Sequence, residues 1–279
     1  MISKPTPVDI PISPWFADHG FNGQAVLPAV ETMLLLATGV AETYPEIDIR
    51  VMANARFARF LEIPSGSSHV AALIEYRQHD NGSILAKLLS RRLFRSITRL
   101  QEHGEILFSP DRANQPPITA LTPLPLAGPE VRISAEQLYR ELVPFGPSYH
   151  TLQDTLHLTE HGAWGRLKAP VFGPPAWAQQ LLGSPFPLDG AFHAACVLGQ
   201  RSADFVPFPV GFARRIVLRP TQAGGLYRTR VALLSQTRDE LVFDLDIVDD
   251  AGQVYESVSG LRMRDVSGGR TKPPDWIKA

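Results

Sequence analysis

From Ala29 to Ala41 the chain reads Ala-Val-Glu-Thr-Met-Leu-Leu-Leu-Ala-Thr-Gly-Val-Ala. These are mostly good helix formers, and they are apolar around most of the helix circumference. Such a helix has no side to offer to water, so other elements must enclose it. The surrounding apolar run, Ala25 to Val40, carries Pro28 and Glu31 and is too short to cross a bilayer comfortably. The reading is therefore a buried helix that ends near Tyr44-Pro45. After Asp48 the pattern becomes strand-like, over 50–61, 68–77, 83–91 and 93–108. Pro64-Ser65-Gly66 and Asp80-Asn81-Gly82 mark turns between these segments. Residues 1–18, with Pro5, Pro7, Pro11 and Pro14, read as an extended lead-in that discourages helix. One helix wrapped by antiparallel strands is the simplest arrangement of this order.

The same order then recurs. Residues 109–129 hold Pro110, Pro116, Pro117, Pro123, Pro125 and Pro129 and read as an extended linker. Beyond it come a strand-like segment over 155–169, a helix over 189–201 and strands over 213–219, 226–234, 240–248 and 253–264. Asp249-Asp250-Ala251-Gly252 is a hairpin turn between the last two, and Gly224-Gly225 reads as a turn before a strand. The expected organisation is a first unit over 1–109, a linker over 110–130 and a second unit over 131–279. The fold class is α+β, one unit used twice.

Charge and composition remove several classes of function. A net charge of −1 gives nucleic acid or an anionic membrane no support as the main partner. The single cysteine, Cys196, excludes an internal disulfide framework, suits a reducing cytosol, and reads as core within the second helix. The first residues, Met1 to Pro7, lack the apolar core of a signal peptide. No His, Cys, Asp and Glu cluster has zinc spacing; His69, His79, His103, His157 and His161 are scattered. Neither a Gly-rich nucleotide loop nor a Gly-x-Ser-x-Gly elbow occurs.

Two short stretches carry chemistry. In the first, His19, Gly23 and Pro28 run directly into the first helix. A histidine moves protons near neutral pH, although a lone histidine is more often structural. Gly23 allows close approach to a ligand, and Pro28 sets the turn into the helix. A carbonyl oxygen near the Gly23 N–H and the helix amino end would be polarised there. In the second stretch, Asp189 stands at the start of the second helix and His193 one turn further on. Asp189 has a plain reading as a helix N-cap. Apolar neighbours would raise its pKa, and the helix dipole would lower it. His193 shares its helix face and is placed to orient the carboxyl. A base on one half and an acid on the other would make one site.

At these residues the chain resembles the dehydratase domains of modular polyketide synthases and related fatty-acid enzymes. The family pattern His-x-x-x-Gly-x-x-x-x-Pro is met by His19, Gly23 and Pro28, and Asp-x-x-x-Gln/His by Asp189 and His193. A third pattern, Tyr-Gly-Pro-x-Phe, appears altered as Phe145-Gly146-Pro147-Ser148-Tyr149. The ending, Asp249 to Val254 and Ser259 to Arg264, is also typical, so the likeness covers about the whole chain. Ala29 replaces the glycine usual after the motif proline, and Phe145 replaces a tyrosine whose hydroxyl is expected near the leaving group.

The resemblance implies a double hotdog, two fused helix-in-sheet units. It implies His19 as the base that takes the α-proton of a β-hydroxyacyl thioester, and Asp189 as the acid that protonates the departing hydroxyl. His193 would orient Asp189, and the Gly23 N–H would hold the thioester carbonyl. Pro28, Phe145, Gly146, Pro147 and Tyr149 would shape the substrate site. No metal or redox cofactor is implied. The substrate would arrive on the phosphopantetheine arm of an acyl carrier protein, and the enzyme would be a cytoplasmic homodimer in polyketide or fatty-acid biosynthesis. Met1 leans toward a free-standing enzyme over a domain cut from a megasynthase. Two other readings stay open: an enoyl isomerase or product-template-like cyclase on the same fold, and a non-catalytic double hotdog that binds acyl chains or a carrier protein.

Overall fold

The enclosed helix of the first half is α1, Ala29–Thr43, with Pro28 as its extended N-cap. In the computed structural model, which describes residues 4–94, 97–109 and 129–278, the chain divides into two units, Met1–Gln115 and Pro116–Ala279. The linker expected over 110–130 lies outside the described residues except for its last two.

In the first unit the described strands are β1 (Thr6–Pro11), the short hairpin β2 (Gly20–Phe21) and β3 (Gln24–Ala25), β4 (Val51–Arg56), β5 (His69–Gln78), β6 (Ile84–Phe94) and β7 (Ile97–Phe108). Five of them form an antiparallel sheet in the order β1-β5-β6-β7-β4. Helix α1 packs on β6 and β7, with Met33, Leu36, Ala37 and Val40 fully buried. The lead-in is not uniformly extended. Residues Thr6–Pro11 form the edge strand, where a missing proline N–H costs no ladder bond. Pro14 opens a 3-10 helix over Pro14–Asp18, because proline at a helix's first position gives up only an N–H that lacks a partner anyway. The strand expected over 50–61 stops at Arg56, after a register break between Ala53 and Arg56 and a left-handed Asn54 (φ 49°).

The second unit has strands β8 (Val131–Ser134), β9 (Leu152–Leu158), β10 (Gly162–Lys168), β11 (Phe208–Val217), β12 (Leu226–Gln236), β13 (Glu240–Val248) and β14 (Val254–Arg264). Their order is β11-β14-β13-β12-β10-β9-β8, antiparallel throughout. The single strand expected over 155–169 is thus a hairpin, β9 and β10, turned at residues 159–161. Its helices are α2 (Ala135–Glu141), α3 (Ala176–Leu182) and α4 (Phe186–Gln200). Helices α2 and α3 are additions to the one helix read from the sequence; each is only seven residues long, too short for a periodicity to stand out. Every residue of α4 is buried, and it packs on β12, β10, β13 and β9. The expected turn after β13 is present: Asp249 Oδ1 accepts the N–H groups of Ala251 and Gln253, both at 2.9 Å, and Gly252 has φ 81°.

Candidate active site

In the first unit, His19 ends the 3-10 helix: its N–H donates to the Phe16 carbonyl at 3.1 Å. Its own carbonyl accepts the Val26 N–H at 3.0 Å, so both sides of its backbone are held. The β2–β3 hairpin between these contacts turns at Asn22 (φ 51°) and Gly23 (φ 77°). Two consecutive positive φ angles on an Asn-Gly pair are those of a type I′ turn, the tight hairpin turn this dipeptide favours. Gly23 therefore stands in the hairpin turn, ahead of the helix amino end rather than at it.

The hairpin is anchored from outside as well. Leu27 N–H donates to the Leu61 carbonyl at 2.9 Å, Ile63 N–H to the Ala25 carbonyl at 2.9 Å, and Gln24 Nε2 to the Ile63 carbonyl at 2.6 Å. Phe21 and Phe60 pack ring to ring at 4.9 Å. Trp15 Nε1 donates to the buried Glu31 Oε1 on α1 at 3.1 Å, tying the 3-10 helix to α1. His19 itself is 9% exposed. His19, Gly23 and Pro28 thus lie on one well-braced segment.

In the second unit, Asp189 is not an N-cap. Helix α4 begins at Phe186, with Pro187 in its first turn, and the Asp189 N–H already donates to the Pro185 carbonyl at 3.2 Å. Proline is well suited to that first turn, which moves the start of the helix ahead of the carboxylate. The Asp189 side chain therefore projects from a helical turn inside the core, and both Asp189 and His193 are 4% exposed. His193 Nε2 lies 2.9 Å from Asp189 Oδ2, a close approach that falls short of an aligned hydrogen bond. Gly190, between them, has no room for a methyl group: one would meet Thr151 Oγ1 and Leu167 Cδ2.

The altered Phe145–Tyr149 motif borders the same histidine. The Phe145 ring packs on the His193 ring at 5.2 Å, so the position that would bring a hydroxyl brings an apolar edge. Gly146 caps a short 3-10 helix, Pro147–Tyr149, which turns Tyr149 fully into the core against Phe186 at 5.4 Å. His150 Nε2 donates to the Phe145 carbonyl at 2.8 Å. Asp189, His193, Phe145 and Tyr149 are thus gathered within this unit.

One neighbour was missing from the sequence reading. Tyr139, on α2, reaches His193: its hydroxyl is 3.5 Å from Nδ1, and the two rings meet edge to face at 5.8 Å. The local signal for its helix is Ser134-Ala135-Glu136-Gln137, a capping-box pattern. The Ser134 hydroxyl indeed accepts the Gln137 N–H at 3.2 Å. A cleft of about 550 Å³ opens beside α2, lined by Tyr139, Phe145, His150 and Leu152 among others. Asp189 and His193 do not line it; Tyr139 and Phe145 are common to the cleft and the histidine's surroundings.

Other titratable groups have plain roles. His103 is buried; its Nδ1 donates to the Phe60 carbonyl at 3.0 Å and its Nε2 accepts the Ser90 hydroxyl at 2.7 Å, and burial lowers its pKa. His157 stacks on Trp164 and pairs with Glu130. Cys196 is buried, and burial pushes its thiol up to about 12, which leaves it unreactive as a nucleophile. Among the described residues no group of three or more His, Cys, Asp and Glu could hold a metal ion. No helix among them is long and apolar enough to cross a membrane.

Comparisons with known proteins agree with this frame. Residues 119–273 match the family described as polyketide synthase dehydratase N-terminal domain. Polyketide synthase ThaG of Burkholderia thailandensis is 24% identical over 270 residues, covering 92% of this chain and 4% of its own length. The chain therefore spans a small fraction of that relative. Among solved structures, a trans-AT PKS dehydratase domain from Brevibacillus brevis superposes with a TM-score of 0.75 at 16% identity, covering 94% of this chain and 93% of the other. The dehydratase domain from the CurJ module of curacin polyketide synthase gives 0.72 at 20% identity, covering 94% and 92%. The fold is accordingly α+β and a double hotdog. With the family match extending over more than half of its length, the chain belongs to the polyketide synthase dehydratase family.

Proposed function

We propose that the chain dehydrates a β-hydroxyacyl thioester to its α,β-enoyl product, with His19 as base and Asp189 as acid. The observation that carries this reading is Asp189 buried on α4 with His193 Nε2 at 2.9 Å from its Oδ2. A carboxyl taken out of water and set beside an imidazole is suited to giving a proton to a leaving hydroxyl. His19, braced on both sides of its backbone, is suited to taking the α-proton without moving. The Gly23 N–H is the donor we assign to the thioester carbonyl, and removal of the α-proton leaves negative charge on that oxygen. Water leaves with the β-hydroxyl oxygen, its second hydrogen coming from Asp189. The steps use only these groups, with no metal or redox cofactor.

In this reading Pro28, Phe145, Gly146, Pro147 and Tyr149 shape the substrate site. The substrate is delivered by the phosphopantetheine of an acyl carrier protein, in polyketide or fatty-acid biosynthesis, and the protein works as a cytoplasmic homodimer. One feature favours a second reading. Phe145 stands where a hydroxyl would help the departing group, so a reaction without a leaving hydroxyl, such as double-bond migration or cyclisation, suffers less from its absence. The test is incubation of the purified protein with a β-hydroxyacyl pantetheine thioester, following the acyl mass, beside His19→Ala and Asp189→Asn. Loss of one water in wild type only supports the dehydratase. No loss at any chain length, with a double-bond shift in an enoyl thioester, replaces it with the isomerase.

A further inference from the structure

Tyr139 is buried, with 6% of its surface exposed, and its ring is clamped. On one face it stacks on His150 at 4.1 Å with the planes 13° apart; its edge contact is with His193. His150 is itself held through Nε2 to the Phe145 carbonyl, so the stacking platform does not rotate freely. The Tyr139 oxygen accepts the Leu152 N–H at 2.9 Å. Thr151 also borders this oxygen through its N–H and its hydroxyl. With Leu152 and Thr151 as the donors, the phenol's own proton is placed elsewhere, since a phenol is donor and acceptor at once. His193 Nδ1 lies 3.5 Å away. Burial raises the phenol's pKa far above its usual value, so the proton stays on oxygen across the working range.

A neutral imidazole carries its proton on one nitrogen, and the hydrogen bond made by the other nitrogen decides which. We infer that Tyr139 is a positioning residue: its hydroxyl donates to His193 Nδ1 and so holds the imidazole proton on Nε2, the nitrogen that faces Asp189 Oδ2. The consequence reaches the acid. A donor at Oδ2 puts the carboxyl's own proton on Oδ1, the oxygen that would deliver it. The Tyr139 contact is long at 3.5 Å and the Asp189 contact is short at 2.9 Å but poorly aligned; catalytic hydrogen bonds commonly tighten in the complex with substrate. Phe145, on another side of the same ring, offers no polar atom to compete. The inference rests on Asp189 as the acid for its effect on rate, but the Tyr139–His193 bond can be read without any reaction.

The test is nitrogen NMR of the full chain labelled with ¹⁵N-histidine, with His193 assigned by the signal lost in His193→Gln. The expected wild-type spectrum has His193 protonated on Nε2, with Nδ1 shifted as a hydrogen-bond acceptor. Tyr139→Phe should move Nδ1 toward its unbonded position. In the dehydration assay the same variant should lose about tenfold in kcat with KM unchanged, the equivalent of one hydrogen bond. A proton on Nδ1 in the wild type overturns the inference, whether or not Tyr139→Phe folds. So does a folded Tyr139→Phe with the wild-type tautomer and the wild-type kcat. If the wild type dehydrates nothing, the dehydratase reading fails, and the spectrum still decides for or against the Tyr139 bond.

Discussion

The two units build the same frame and use it differently. In the first, the candidate histidine sits outside the helix, between a 3-10 helix and the foot of a hairpin that reaches α1 through Val26, Leu27 and Pro28. In the second, the candidate carboxylate and its histidine are part of the helix, four residues apart on a wholly buried α4. A hairpin positions a side chain through backbone bonds and one tight turn. A buried helix positions it through packing on every side. The first device depends on a few hydrogen bonds and the left-handed pair Asn22-Gly23; the second depends on small side chains, such as Gly190, that let the helix lie close to its neighbours.

If both arms serve one reaction, Asp189→Asn and His19→Ala should each cost about 10²–10⁴-fold in turnover while the circular dichroism stays that of wild type. A variant that keeps most of its rate removes that arm from the chemistry. Next in size, Gly190→Ala should cost about 1–3 kcal/mol of stability by forcing a methyl onto Thr151 and Leu167, measured as a urea midpoint. An unchanged midpoint would mean α4 is less tightly set than described. Gly23→Ala, strained at φ 77°, should cost about 1–2 kcal/mol and raise KM through the displaced hairpin. Were it the more damaging of the two glycine changes, the hairpin would be the stricter device.

A pH effect separates the units further. Burial holds the His103 pKa below the ordinary 6.5, so on acidification the unfolded chain takes up that proton first. This contribution to stability is complete above about 6.5 and is lost as pH falls toward the lowered value. His103→Gln should flatten part of the acid side of the stability curve; an unchanged slope would assign it to other groups. Smallest is Phe145→Tyr, expected to raise the dehydration rate by up to about tenfold if the added hydroxyl reaches the leaving group.

Much of this molecule was legible in its sequence because the signals are local. The apolar circumference of Ala29 to Ala41 demanded enclosure, and Asp80-Asn81-Gly82 and Asp249 to Gly252 carry turn chemistry in adjacent residues. The spacing of Asp189 and His193 placed them on one helix face before any fold was known. Tertiary structure decided the rest. The start of α4 moved to Phe186, which turned Asp189 from a cap into an interior group. Tyr139 meets His193 across 54 positions of chain, and Phe145 meets it across a separate turn. Local periodicity and turn preference act over a few residues, so they reach neither contact; only packing, which brings distant residues together to exclude water, selects which hydroxyl and which ring a buried histidine will face.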